Sequence, residues 1–467
     1  MATDLHYLEL PELARLIQAR ELSPVEATAA QLARIESLDR QLRSYAYVMA
    51  DAAMAQARTA EAEITRGEIR GLLHGVPIAV KDLCWTKGVP TAAGMTIHRD
   101  FCPDEDATVV RKLNAAGAVI LGKLQLTEGA LGEHHPQIPP PVNPWNAAHW
   151  PGVSSSGSGV ATAAGLCYGS LGSDTGGSIR FPSAANGVTG LKPTWGRVSR
   201  YGVFELAATL DHIGPMARSA ADCGAMLGVI AGAEEKDPTA VLDPVPDYLA
   251  GTTHDLRGVR VGIDVTWNTR GVDAATVDAV DAASTVIRSL GADIREVRFP
   301  DTSHVLSDWR PLCAVQAAVA HEATYPARAA EYGPRLASLL DLGRSVSGSD
   351  YQKLILRRLD FRGRVTALFH DIDLLVVPAH GIASPTNAQM AKLAEDAVLR
   401  DAMFRYTFAF DMSGNPTITL PCGLTDAGTP LAFQLVGRHL DEAMLVRAGR
   451  AYQNATDWHR KHPELAA

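Results

Sequence analysis

No stretch of this 467-residue chain approaches the ~18 consecutive apolar residues of a membrane-spanning helix, and its six cysteines form no CxxC pair. The first absence argues against a membrane protein. With the cysteines also far apart, the second argues against a disulfide framework or zinc site, so Cys84, Cys102, Cys167, Cys223, Cys313 and Cys422 read as small buried hydrophobes in a reducing compartment. Positive charge is also short: 43 Lys+Arg against 52 Asp+Glu leave −9, which disfavours nucleic acid or an anionic membrane as main partner. The opening residues, MATDLHYLELPELARL, lack a basic start and an apolar core, so no signal peptide is expected and the cytoplasm is the expected location. Lysine is scarce, supplying nine of the 43 basic residues.

What is present alternates between helix and strand. Residues 1–70 read as a helical segment, with Ser23-Pro24-Val25-Glu26 a capping box that opens a helix through Ala27, Leu32 and Ile35. Gly75–Asp82 is an apolar run without alternation, the pattern of a strand buried on both faces. A helix from Ala107, a stop at Gly117 and a strand at 118–121 follow. Later strands are expected at 259–265, 292–299 and 374–377, with a helix at 272–290 between the first two. The runs 416–422 and 430–436 flank Thr425-Asp426-Ala427-Gly428-Thr429 as a hairpin, and a helix at 441–453 closes the chain. This alternation predicts an α/β fold, one large domain over 1–467 with a helix-flanked, mostly parallel or mixed central sheet. Residues 75–215 form its core and 255–460 continue the same sheet.

The forty glycines concentrate with serine between Pro151 and Gly190, where Asp174 and Arg180 are the only charges. A flexible linker would be polar throughout. This stretch instead reads as a small-residue helix at 159–165 and a strand at 168–172, elements that permit close backbone approach. It contains no GxxxxGK[ST], and Ser178 in Gly176-Gly177-Ser178-Ile179-Arg180 fails the GxSxG elbow at its last position. Neither SxxK nor HExxH occurs anywhere in the chain, and Glu133-His134-His135 reads as an exposed polar loop rather than a metal site. Asp174-Thr175-Gly176-Gly177-Ser178 does offer consecutive backbone N–H groups on an unhindered turn, an array able to face a developing oxyanion. Asp174 and Arg180 flank that turn as a structural ion pair. Lys81 ends the apolar strand, where it either snorkels to solvent or is desolvated enough to act as a neutral base.

With these residues assembled, the chain resembles the amidase signature family of serine hydrolases. The likeness rests on Gly172-Ser173-Asp174-Thr175-Gly176-Gly177-Ser178-Ile179-Arg180, followed by Gly190-Leu191-Lys192-Pro193-Thr194-Trp195-Gly196-Arg197-Val198-Ser199. The upstream Gly75–Asp82 run, Ala116–Lys123, Asn143–Trp145 and the stretch from Gly414 to Arg438 match as well, so it covers nearly the whole chain. It implies a single α/β/α domain and a Ser–Ser–Lys unit: Ser178 as nucleophile, Ser154 as bridging serine and Lys81 as base. It further implies oxyanion donors from the backbone of Thr175, Gly176, Gly177 and Ser178, a cis peptide before Ser154, and hydrogen bonds from Ser154 to Lys81 and Ser178. No metal or organic cofactor is implied. Val153 and Ser156 depart from the family, standing beside the bridging serine where it usually has glycine.

The expected activity is hydrolysis of C–N bonds in small-molecule amides, with anilides and carbamates as variants, by a monomer or homodimer. The proline-rich loop Leu131–Pro141 is a candidate wall for the leaving group or an ordinary surface loop. The alternatives are the glutaminase subunit of a tRNA-dependent amidotransferase and an inactive amidase-like binding protein. Retention of Lys81, Ser154 and Ser178 together argues against the second.

Overall fold

In this computed structural model, residues 5–251 and 254–465 are described. Their centre is an eleven-stranded sheet. In chain order the strands are β1 (Tyr45–Val48), β2 (Pro77–Lys81), β3 (Val119–Leu124), β4 (Gly169–Asp174), β5 (Thr189–Lys192), β6 (His212–Ala217), β7 (Arg260–Ile263), β8 (Asp293–Glu296), β9 (Leu374–Pro378), β10 (Thr417–Leu424) and β11 (Pro430–Gly437). Across the sheet they run β1-β3-β2-β4-β6-β5-β10-β11-β9-β7-β8. The sheet is mixed: β3, β2 and β4 are parallel, as are β9, β7 and β8, while β10 and β11 form the expected antiparallel hairpin. Because β5 pairs β10, the strands of both halves of the chain belong to one sheet and one α/β domain.

Burial accounts for the uniform apolar runs. Every residue of β2, β3, β4 and β9 is buried, so neither face of these strands needs a polar alternation. The Ser23 capping box forms as expected and opens the helix Pro24–Leu42. Gly117 (φ +74°) closes the helix Thr108–Ala115 before β3. The segment 1–70 is not wholly helical, since Tyr45–Val48 pairs β3 as an edge strand. The expected strand at 259–265 ends at Ile263, because the Asp264 carboxylate accepts the Trp267 N–H (2.9 Å) and caps the short helix Val265–Thr269. Five cysteines are buried, as read from the sequence, but Cys102 is exposed.

The glycine- and serine-rich stretch is fully structured. Its helix spans Ser156–Ala163, three residues earlier than expected, and is buried throughout. A Cβ on Gly159 would lie 2.9 Å from the Pro182 carbonyl oxygen, which is why this helix can press against Arg180–Asn186 only with small residues. The pair brings two chain segments to the carboxyl ends of β2 and β4.

Candidate active site

The parallel pairing of β2 with β4 aligns Ala79 with Ser170 and Val80 with Leu171, so Lys81 leaves its strand beside Ser173. Lys81 is fully buried, and its Nζ faces three hydroxyls: Ser154 (2.7 Å), Ser155 (2.8 Å) and Ser173 (2.8 Å). Among the described residues no carboxylate touches it. Desolvation therefore dominates and lowers the lysine to about 7.

Ser154 and Ser155 precede the helix Ser156–Ala163 and are buried. The Val153–Ser154 peptide is cis, as the resemblance implies. Ser155 donates its hydroxyl proton to the Ser173 carbonyl (3.2 Å), so it receives an N–H from Lys81. Its backbone N–H donates to the Ser178 carbonyl (3.3 Å), tying the two serine segments together. The expected bond from Ser154 to Lys81 is present. The one from Ser154 to Ser178 is not: among the described residues the partly exposed Ser178 hydroxyl makes no hydrogen bond. Catalytic hydrogen bonds often close only when substrate arrives.

The turn carrying Ser178 is built around Asp174. One carboxylate oxygen accepts Gly177 N–H (2.6 Å) and an Arg180 Nη2 proton (2.9 Å); the other accepts Ile179 N–H (3.0 Å) and Arg180 Nε (2.9 Å). Burial pushes Asp174 up, but the Arg180 charge and these donors outweigh it and hold the carboxyl well below its ordinary range. Gly177, expected among the oxyanion donors, thus turns its N–H inward to Asp174. The amides of Thr175, Gly176 and Ser178 have no protein acceptor among the described residues.

The Asp174–Arg180 pair is the one expected from the sequence, and its surroundings extend well beyond that turn. Arg180 also reaches Asp411 (2.6 Å) and the Thr407 carbonyl (2.9 Å) on the helix Ala397–Ser413. Trp309 Nε1 donates to the Thr175 carbonyl (2.8 Å) from the helix Val305–Ala320. Ser155 and Ser173, both in the serine- and glycine-rich stretch between Pro151 and Gly190, are partners of Lys81 that the sequence pattern does not single out. His134 is not on a plain exposed loop. Its Nε2 lies 3.2 Å from Ser156 Oγ, and burial followed by the nearby Lys81 charge lowers it to about 4. Among the described residues no group of three or more His, Cys, Asp or Glu side chains could hold a metal.

The site joins a buried amine, a row of hydroxyls and unpaired amides at the carboxyl ends of parallel strands, an arrangement suited to acyl transfer. Comparison with known proteins gives the same class. The family model "Amidase" matches residues 26–446. AmiD of Mycobacterium tuberculosis is 52% identical over 458 residues, covering 98% of this chain and 96% of AmiD. The A subunit of glutamyl-tRNA(Gln) amidotransferase from Chloroflexus aggregans is 37% identical, covering 99% of both chains. The peptide amidase of Stenotrophomonas maltophilia superposes with a TM-score of 0.82 at 31% identity over 98% of both chains. The chain belongs to the amidase family, and it is an amide-hydrolysing enzyme. No described helix is long and apolar enough to cross a membrane.

Proposed function

We propose that this enzyme hydrolyses the C–N bond of small-molecule amides through an acyl-enzyme on Ser178, with Ser154 and neutral Lys81 relaying the proton. One observation carries the reading: among the described residues the side-chain partners of buried Lys81 are hydroxyls, and burial lowers the amine to about 7. A neutral amine has two N–H groups and one lone pair. Ser155 takes one N–H and Ser173 accepts the other, leaving the lone pair for the Ser154 proton.

As Ser154 gives its proton to Lys81, its oxygen takes the proton of Ser178, whose Oγ bonds to the substrate carbonyl carbon. The carbonyl π pair moves to oxygen, which faces the free amides of Thr175, Gly176 and Ser178. Collapse breaks the C–N bond, and the proton returns from Lys81 through Ser154 to the leaving nitrogen. Water then attacks the ester by the same relay and releases acid and Ser178. This route calls on no cofactor, and the same acyl-enzyme chemistry can serve anilides and carbamates. We place the working form as a monomer or homodimer in the cytoplasm.

The likeness to the amidotransferase chain supports a second reading, a glutaminase that works with partner chains. The higher identity to AmiD favours the stand-alone enzyme. A fluorophosphonate probe should label the protein and fail on Ser178→Ala. Hydrolysis of simple amides, anilides or carbamates by the isolated chain supports the first reading, whereas hydrolysis of glutamine alone supports the second.

A further inference from the structure

Three aromatic rings form a parallel stack against the Ser178 turn. Trp309 lies on Phe408 (centroids 4.0 Å, 19°), and Phe408 on Phe404 (4.6 Å, 13°). The last two are one helical turn apart on Ala397–Ser413, which puts them on one face. A Cβ on Gly176 would meet Phe408 and Trp309 at 2.7 Å, so the stack touches the oxyanion segment itself. Phe181, three residues after Ser178, meets Phe404 edge-on (5.9 Å). The mounting is rigid: Trp309 is bonded to the Thr175 carbonyl, and Arg180 ties Asp174 to the helix bearing Phe404 and Phe408. Phe404 ends the stack and stays partly exposed. It shares an apolar cluster with Trp150, Phe181 and Val153.

We propose that this stack binds the acyl portion of the substrate and selects amides of arylalkanoic or aromatic acids. The inference rests on the Ser178 acyl-enzyme reading. The proton returning through Ser154 must reach the leaving nitrogen, so the amine faces Ser154 and the acyl substituent runs along the Thr175–Phe181 segment, where the rings are. A flat ring laid on Phe404 continues the stack at the offset geometry that aromatic pairs favour.

Substrate pairs that share a leaving group test this with the whole protein: phenylacetamide against acetamide, and phenylacetanilide against acetanilide. The aryl-acyl member of each pair should show kcat/KM higher by about 10-fold or more, the scale expected for burying a ring. In Phe404→Ala this ratio should fall towards one, and in Phe404→Leu it should take an intermediate value, with thermal melts confirming that both variants fold. Equal rates within each pair, or a ratio unchanged in both variants, overturn the inference. If Ser178 is labelled by fluorophosphonate and amides are cleaved without an aryl-acyl preference, the inference alone fails. If Ser178 is neither labelled nor needed for hydrolysis, the reading beneath it fails too.

Discussion

Lys81 Nζ and Ser154 Oγ lie 2.7 Å apart with both side chains sealed from solvent, and no carboxylate among the described residues shares the contact. A lysine held by an acid would stay charged and could not accept a proton. Here burial outweighs the raising influence of Cys84, Asp174 and Asp211 and brings the amine into the range where it can act as a base.

The rate should therefore follow Lys81. We expect kcat/KM to rise with pH with an apparent midpoint near 7, the value to which burial lowers the lysine. His134 is held near 4 and His212 well below its ordinary range, both chiefly by burial, so neither supplies that rise. His134→Gln should keep the midpoint, while Lys81→Ala should lose at least ~10²-fold in the chemical step. A rate flat from about pH 5 to 9 rules out the lysine base.

The same burial should burden stability. Lys81 has its ordinary value of 10.5 when unfolded and about 7 when folded, so between these pH values the unfolded chain binds the extra proton. Stability from this group is thus lowest below pH 7 and recovers as pH rises towards 10.5. The difference is worth up to about 5 kcal/mol, offset in part by three hydrogen bonds of ~1 kcal/mol each. Lys81→Met should be inactive yet melt at a higher temperature at pH 7, with the gap to the parent narrowing by pH 10. Melting curves across pH decide this, and a lower Tm with a pH-independent gap contradicts it.

How much of this could be read beforehand depends on sequence distance. Lys81 at the end of an apolar strand, the Ser23 cap and the Asp174–Arg180 pair are local patterns, each visible within a few residues. The partners of the turn are not local: Trp309 is 134 residues from Thr175, and Asp411 is 231 from Arg180. Nothing in the pattern around Phe404 or Trp309 distinguishes a ring stacked at the site from one in the core. The inward N–H of Gly177 was hidden for another reason. Four successive amides look equivalent in sequence, and only the carboxylate inside the turn separates one from the rest.

Gly177 has φ +124°, and a Cβ there would collide with the Phe181 ring. Gly177→Ala should therefore move either the ring or the turn, since the strained backbone and the overlap act together. We expect a lower Tm together with slower fluorophosphonate labelling of Ser178. A fully stable variant labelled at the parental rate means the turn tolerates the side chain.

Asp174 should matter more than any other carboxylate near the site. It is fully buried and accepts from the backbone of Gly177 and Ile179 as well as from the Arg180 guanidinium. In Asp174→Asn one acceptor oxygen becomes an NH2 donor facing N–H groups, and Arg180 keeps the Thr407 carbonyl and, as carboxylate partner, Asp411, whose own carboxyl burial pushes well above the usual range. Breaking a buried pair on one side typically costs about 3–5 kcal/mol, so Asp174→Asn should melt well below the parent and lose Ser178 labelling. The sign with pH is the reverse of that for Lys81. A depressed carboxyl contributes fully above its ordinary 3.8 and is lost only as pH falls through the lower folded value. The gap between parent and Asp174→Asn should accordingly hold constant from pH 9 down to about 4 and begin to close only in stronger acid. A gap that closes between pH 5 and 7 would mean that Asp174 is not held ionised, and that the turn draws its shape from another source.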